Sequence, residues 1–280
     1  MCHWATVIKQ LELIQHDNIE DHIFELYSER QLQNNLGYVD RTANEITVTL
    51  PRNKIDLNIT QSLTSLANQK SNPSSTGYIC WKSSIHFTDW LISSECPFKL
   101  SKKFTILELG SGTAAVCASV LSSKVQHFIA TDQKHVLKLL RQNIENNVSS
   151  FTNSIISKNR GGKHHQVIDV IEFDWENIDM GKLNIQSLNL QKQYPDVIIA
   201  CDTIYNEYLI SHFIKSLNTL MADSQKTVAL VAIQLRDPIT FEVFVTEVVQ
   251  DRNLSLYNVP DHLLSDDLKN GYVVYCILKS

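Results

Sequence analysis

Five short apolar runs punctuate the chain from residue 105 onward, and most are followed by a longer stretch with helical spacing. Thr105 to Leu109 is the first such run, with a small-residue helix predicted over Thr113 to Ser123 behind it. His127 to Asp132 is the second, before an amphipathic helix from His135 to Val148 that repeats Val136, Leu139, Leu140 and Ile144 at a 3.6-residue period. Gln166 to Trp175 makes a third strand, and Asn177 to Lys192 after it has no clear register. Asp196 to Asp202 holds a continuous apolar run between its two carboxylates, as expected of a central parallel strand covered on both faces. Leu209 to Met221 follows as a helix, then a strand from Thr227 to Leu235 and a helix from Pro238 to Val249 with proline near its start. This alternation predicts a doubly wound α/β sheet. The chain closes differently, on Leu254 to Val259 and Tyr272 to Leu278, with only the short polar loop Asp261 to Asn270 between them. Those two runs are expected to pair antiparallel.

The first 75 residues carry a weaker pattern. Ile23, Phe24 and Tyr27 are spaced for a helix over Asp21 to Tyr27, and Glu45 to Leu50 and Ile55 to Ile59 alternate as a hairpin would. Ser71 to Ser75 reads as a turn or linker. So few large apolar side chains could hardly support a separate fold. The expected organisation is an α+β extension over 1–75 packed on a main domain over 76–280. From Gly77 the pattern changes, and Ser84 to Ser93 is read as a helix with Ile85, Trp90 and Leu91 turned to a core.

Composition narrows the class of protein. Of 280 residues 43% are hydrophobic and 20% charged, ordinary for a globular α/β chain. A formal net charge of −5 leaves no basic excess for phosphates, so direct nucleic-acid binding is not expected. No apolar run approaches the ~20 residues that span a bilayer, and no signal peptide is visible, which together point to a cytoplasmic chain without a membrane partner. The six cysteines have no C-x-x-C spacing, and most lie in apolar runs, as buried thiols do. His164-His165 is the only histidine pair, so no metal site is expected.

Chemistry concentrates at the ends of the strands, where open α/β sheets bind ligands. Ile106-Leu-Glu-Leu-Gly-Ser-Gly112-Thr-Ala-Ala115 is a strand, a glycine turn and a helix start. Its glycines permit positive φ and a close approach of backbone to ligand. Read as Gly-x-Gly-x-x-Ala it could hold a dinucleotide pyrophosphate, and with Glu108 ahead of Gly110, Ser111 and Gly112 it equally fits an S-adenosylmethionine loop. Taken alone it could also be a plain structural turn. Asp132, 20 residues after Gly112, could accept both hydroxyls of a ribose or merely cap a helix. Asp174 and Trp175 would lie near an adenine, the tryptophan stacking on the base and the aspartate accepting from its amine, unless Trp175 is only core. Cys201 and Asp202 end the buried fourth strand, with Tyr205 three residues on. A carboxylate at that depth is expensive unless paired, and a substrate ammonium would be such a partner. The closing antiparallel pair weighs against a dinucleotide domain, which usually ends on another parallel unit, and favours a class I methyltransferase.

Trp81, Glu108-Leu-Gly-Ser-Gly112, Asp132, Asp174-Trp175 and Asp202-x-x-Tyr205 together resemble, in order and spacing, the seven-β-strand lysine methyltransferases of the methyltransferase 16 group. The likeness covers about residues 77 to 278. It implies a Rossmann-like seven-stranded sheet and S-adenosyl-L-methionine as cofactor. It also implies that Trp81, Gly110 to Gly112, Asp132, Trp175 and Cys201 contact that cofactor, and that Asp202 and Tyr205 border a lysine channel. The group methylates chaperones, elongation factors and ribosomal proteins. Glu20-Asp-His-Ile-Phe-Glu-Leu-Tyr27 and Thr76-Gly-Tyr-Ile-Cys-Trp81 look most like its ribosomal members, so the implied partner is a large-subunit ribosomal protein. Two positions depart from the group: it often has glycine where Ala114 stands and alanine where Cys201 stands. All four are small residues.

Methyl transfer from a sulfonium needs alignment rather than a protein nucleophile. The acceptor lysine, with an ordinary pKa of about 10.4, must be neutral to attack. Asp202 is the candidate to orient the amine and Tyr205 to wall or hydrogen-bond the channel. A monomer is expected. Competing readings are an RNA or small-molecule methyltransferase, a nicotinamide oxidoreductase, and a binding module without turnover. Asp202-Thr-Ile-Tyr205 in place of an Asn-Pro-Pro-Tyr run argues against amino groups of bases.

Overall fold

The structure is a computed structural model, and it describes residues 4–30, 32, 36–64, 77–148, 167–188, 190, 192, 194–221 and 226–280. The expected turn at 71–75, the loop at 149–162, the histidine pair at 164–165 and Cys2 lie outside these residues. In chain order the main elements are β1 (Glu12–Ile14), α1 (Ile19–Glu29), β2 (Glu45–Leu50), β3 (Ile55–Thr60), α2 (Lys82–Leu91), β4 (Thr105–Leu109) and α3 (Val116–Leu121). They continue as β5 (His127–Asp132), α4 (Leu137–Asn147), β6 (Val167–Glu172), α5 (Ile178–Ser187), β7 (Val197–Cys201) and α6 (Glu207–Met221). The last are β8 (Val228–Gln234), α7 (Pro238–Gln250), β9 (Leu254–Asn258) and β10 (Tyr272–Lys279).

One eight-stranded sheet runs β1-β9-β10-β8-β7-β4-β5-β6. β4 through β8 are parallel to one another, and β10 is antiparallel to both β8 and β9. The closing pair is therefore inserted, with its last strand against the parallel set. β4 has β5 on one side and β7 on the other, which makes its carboxyl end the point where strand order reverses and a crevice opens.

Period-two alternation sorts the sheet's side chains onto two covered faces. Ile106, Val197, Ile199, Val228 and Leu230 join a core under α2, α3 and α4. Leu107, Leu109, Ile198, Val231 and Ile233 join a second core under α6 and α7. All seven residues of β8 and all five of β4 are buried, the run-on hydrophobicity that only a doubly covered strand can carry.

The N-terminal segment is tied in along its length. β1 pairs antiparallel with β9 and adds a strand to the seven expected; three residues are too short for periodicity to reveal. α1 lies against α7, with the Tyr27 ring edge-on to Phe241 at 5.8 Å, and His22 shares a buried 2.7 Å hydrogen bond with the Tyr275 hydroxyl. The β2–β3 hairpin is held at its turn by buried Asp89, which accepts from the backbone N–H groups of Arg52 at 2.7 Å and Asn53 at 3.0 Å.

Two predicted elements differ. The helix after the glycine turn is only Val116–Leu121, because Ala115 before it is left-handed (φ 56°) and a 3-10 turn follows over Ser122–Lys124. α5 forms where no register was legible. Its Met180 and Leu183 are exposed while Gly181 faces the core, where an added Cβ would stand 2.6 Å from the Phe173 ring. Two of its apolar residues thus lie outside, while Ile185 and a mid-helix glycine face the core.

Candidate active site

Gly110 (φ 71°) and Gly112 (φ 61°) turn the chain out of β4 in the left-handed region that glycine enters freely. Side chains are excluded at Gly110 by space as well: a Cβ there would meet the Thr203 methyl at 2.9 Å and the Trp175 ring at 3.4 Å. Three of the loop N–H groups are used within the protein. Ser111 donates to Thr131 O at 2.9 Å and Thr113 to Gly77 O at 2.7 Å. Gly112 donates to Asp132 Oδ2 at 2.8 Å, while Asp132 Oδ1 accepts from Gln133 N–H at 2.7 Å. Ala114 lies outside the left-handed region, so alanine is tolerated where the group often has glycine; the strained residue is its neighbour Ala115.

Behind this loop lies a buried acid. Glu108 is 3% exposed, and among the described residues its Oε2 has no hydrogen-bond partner. Burial pushes its carboxyl up to about 7, against the pull of the Cys117 thiol. Cys117 and Cys201 face each other with their sulfurs 3.8 Å apart, and both thiols are raised, so they stand protonated beside the acid. The Glu108 carboxylate and these two sulfurs lie within 4.8 Å of one another, a grouping that no spacing in the sequence announces.

Asp174 caps a 3-10 turn by accepting from Glu176 N–H at 3.1 Å, and Gln133 reaches its Oδ2 at 3.4 Å. Trp175, the first residue of that turn, is half-buried, with its ring edge-on to Phe213 at 5.2 Å. At the end of β7, Asp202 is left-handed (φ 57°), a conformation aspartate tolerates better than most residues, and its N–H donates to Ala232 O at 2.7 Å. Its side chain is only 1% exposed. Oδ1 is ion-paired to Arg236 and accepts from Gln234 N–H at 3.4 Å, whereas Oδ2 has no partner among the described residues. The chain itself thus supplies one cation, Arg236, for this carboxylate. Burial still holds the Asp202 carboxyl at about 6, with Arg236 working in the opposite direction. The Arg236 guanidinium also lies 5.4 Å from the centre of the Trp81 ring, within cation–π range.

All eleven sequence candidates (Trp81, Glu108, Gly110, Ser111, Gly112, Asp132, Asp174, Trp175, Cys201, Asp202 and Tyr205) border one cleft at the carboxyl ends of β4, β5, β6 and β7. Trp81, Asp202 and Tyr205 also line a second cavity, which adds Arg236, Leu36 and Phe241 and has a mostly apolar wall. These three form the partition between the two spaces. Gly77, Gln133 and Arg236 are neighbours that the motif reading missed. Arg236 left a trace, a lone cation two residues past the carboxyl end of buried β8. Gln133 has no signal beyond adjacency to Asp132, and Gly77 none beyond its place in the run that leads to Trp81.

A sheet with this strand order, a glycine loop at its switch point and an inserted antiparallel end defines a class I methyltransferase. The profile of the lysine methyltransferase family matches residues 60–250, and the chain belongs to that family. Its reaction is methyl transfer from S-adenosylmethionine to a lysine amine. A ribosomal lysine N-methyltransferase 5 from Vanderwaltozyma polyspora is 29% identical, aligned over 92% of this chain and 97% of its own. Its namesake from Kluyveromyces lactis is 28% identical over 91% and 96%, and that of Saccharomyces cerevisiae strain AWRI796 24% identical over 95% and 99%. Among solved structures, a methyltransferase crystallised with SAH aligns over 86% of this chain and 57% of its own at 12% identity, with a TM-score of 0.46. No helix among the described residues is long and apolar enough to cross a membrane.

Proposed function

We propose that this chain methylates a lysine of a large-subunit ribosomal protein in the cytoplasm, with Asp202 receiving the amine. The carrying observation is the partition: a buried carboxylate with one vacant oxygen, set between a cleft of nucleoside-binding character and a second, largely apolar cavity. Arrival of an amine at Asp202 Oδ2 from the second cavity would bring it beside the cleft.

The residues of the cleft fit S-adenosylmethionine. The orphaned Glu108 oxygen is matched by the cofactor's α-ammonium, which would restore the ionised form that burial disfavours. Asp132 keeps lone pairs for ribose hydroxyls beside those it gives to Gly112 and Gln133. Trp175 and Asp174 would receive the adenine, and Trp81, Gly110, Ser111, Gly112 and Cys201 would complete the wall. The cofactor supplies an already activated methyl group, so the chain's work is to orient the amine, exclude water and let the lysine proton leave. Tyr205, 36% exposed at the partition, would border the incoming side chain.

The ribosomal assignment is supported by the names of relatives that align over nearly their full length. It is also consistent with a net charge of −5, which would steer a basic substrate. Residues 1–75 would help choose it as an extension of the methyltransferase domain. The test is incubation with methyl-labelled S-adenosylmethionine and subcellular fractions from cells lacking this gene. Label in one large-subunit ribosomal protein, recovered as methyl-lysine, is expected. Label in a chaperone or elongation factor would move the substrate, and label in RNA or metabolites would overturn the reading.

A further inference from the structure

Asp202 does not stand alone at the partition. Arg236, two residues beyond β8, pairs with its Oδ1, rests over the Trp81 ring and donates to Leu36 O on the rim of the second cavity. Arg236 keeps a side-chain exposure of 19% against 1% for Asp202, so the ion pair is almost wholly desolvated on the carboxylate side. A guanidinium offers a fixed fork of donors, and here one arm holds the acid while another holds the backbone of the N-terminal segment.

We infer that Arg236 is a positioning residue for methyl transfer: it fixes one oxygen of Asp202, leaves the other for the acceptor amine, and keeps a cation where the lysine must be neutral. The inference rests on the reading of Asp202 given above. Two consequences share one sign. The cation favours the ionised carboxylate, and it disfavours a second cation nearby, so the bound lysine is pressed to give up its proton. A carboxylate without Arg236 would do the reverse, holding the lysine as a tight, unreactive ammonium. The site therefore binds the amine through Oδ2 yet avoids trapping its charged form.

Other ionisable groups around this pair do not substitute for it. Tyr272 comes from β10, Cys201 from β7 and Glu108 from β4, and on the arginine's far side stand Tyr27 and Asp237. These five are acids or neutral; beside Tyr272, Asp267 adds an acid and His86 an imidazole whose charge burial disfavours, so Arg236 is the cation among them. Asp237 is occupied as the N-cap of α7, accepting from Ile239 and Thr240 N–H.

The experiment is the pH profile of kcat for wild type, R236M, R236Q, R236K and D202N. The acceptor is total large-subunit ribosomal protein from cells lacking this gene, with methyl-labelled S-adenosylmethionine saturating, and cofactor affinity is measured for each variant as a check on folding. R236M and R236Q should move the acid limb alkaline by about one pH unit or more, the size of a lost neighbouring charge, and so run about tenfold slower on that limb. R236K should leave the limb near its wild-type position. Two neutral replacements of different shape are used so that one misfolded variant does not remove the test. A uniform loss of rate with the limb unmoved would make Arg236 a mere strut and overturn the inference. D202N turning over with an unchanged limb would overturn the reading of Asp202 and this inference with it. D202N inactive while the R236M limb stays put would overturn this inference alone.

Discussion

Gly112 donates its backbone N–H to Oδ2 of Asp132 at 2.8 Å, so the turn after β4 and the carboxylate ending β5 act as one unit. Removing that carboxylate removes an acceptor for the loop and, in our reading, for the ribose. Asp132→Ala should therefore weaken binding of S-adenosylmethionine by roughly 100-fold, the loss of about 2–3 kcal/mol expected for hydrogen bonds to a charged group. Calorimetric titration measures it directly. Unchanged affinity would place the ribose elsewhere.

Glu108 makes the cofactor-free protein pH-sensitive. Its carboxyl titrates at about 7 when folded and at the ordinary 4.5 when unfolded. The folded state therefore has this group's full contribution below pH 4.5, loses it as pH rises to 7, and above that carries a penalty on the order of 3 kcal/mol. Glu108→Gln cannot ionise. Without cofactor it should melt several degrees above wild type at pH 8 and close to wild type at pH 4.5. S-adenosylhomocysteine, which carries the same ammonium, should stabilise wild type more than the variant. Thermal denaturation at both pH values, with and without that ligand, checks both halves.

Asn143 of α4 is fully buried and donates to Thr113 O at 2.6 Å and Thr60 O at 2.8 Å, while accepting from Thr60 N–H at 2.8 Å. One side chain thus joins the glycine loop to the β2–β3 hairpin. Asn143→Ala should cost about 2–3 kcal/mol of stability through the orphaned backbone groups. It should also raise the cofactor Kd several-fold although Asn143 does not line the cleft. Denaturant titration and calorimetry together decide it. Lower stability with unchanged Kd would confine Asn143 to holding the hairpin.

The sheet was legible because buried parallel strands announce themselves: β7 is an unbroken apolar run, β4 and β8 are mostly apolar, and the antiparallel ending was readable from the short polar connection between β9 and β10. The glycine loop and the acids at strand ends were equally legible, since a ligand at a switch point needs close backbone and polar side chains where strands stop. What stayed hidden depends on contacts between distant segments. β1 is three residues long and gains its identity only from β9. α5 exposes Met180 and Leu183 and packs through Ile185 and Gly181, which blurs the amphipathic face that a sequence can show. Arg236 is 34 residues from Asp202 and Cys117 is 84 from Cys201, so neither pairing has a local signature. The two buried thiols look like any apolar position until the fold sets them against Glu108.

Everything proposed for the chemistry passes through Asp202, and Asp202→Ala is the direct probe. Cofactor affinity and methyl-lysine formation on large-subunit ribosomal protein are measured side by side for wild type and variant, with cofactor saturating. The account predicts a variant that binds S-adenosylmethionine within a few-fold of wild type and forms methyl-lysine at least 100-fold more slowly, the scale of losing a positioned catalytic group. Methyl-lysine formed by the variant at close to the wild-type rate would contradict it.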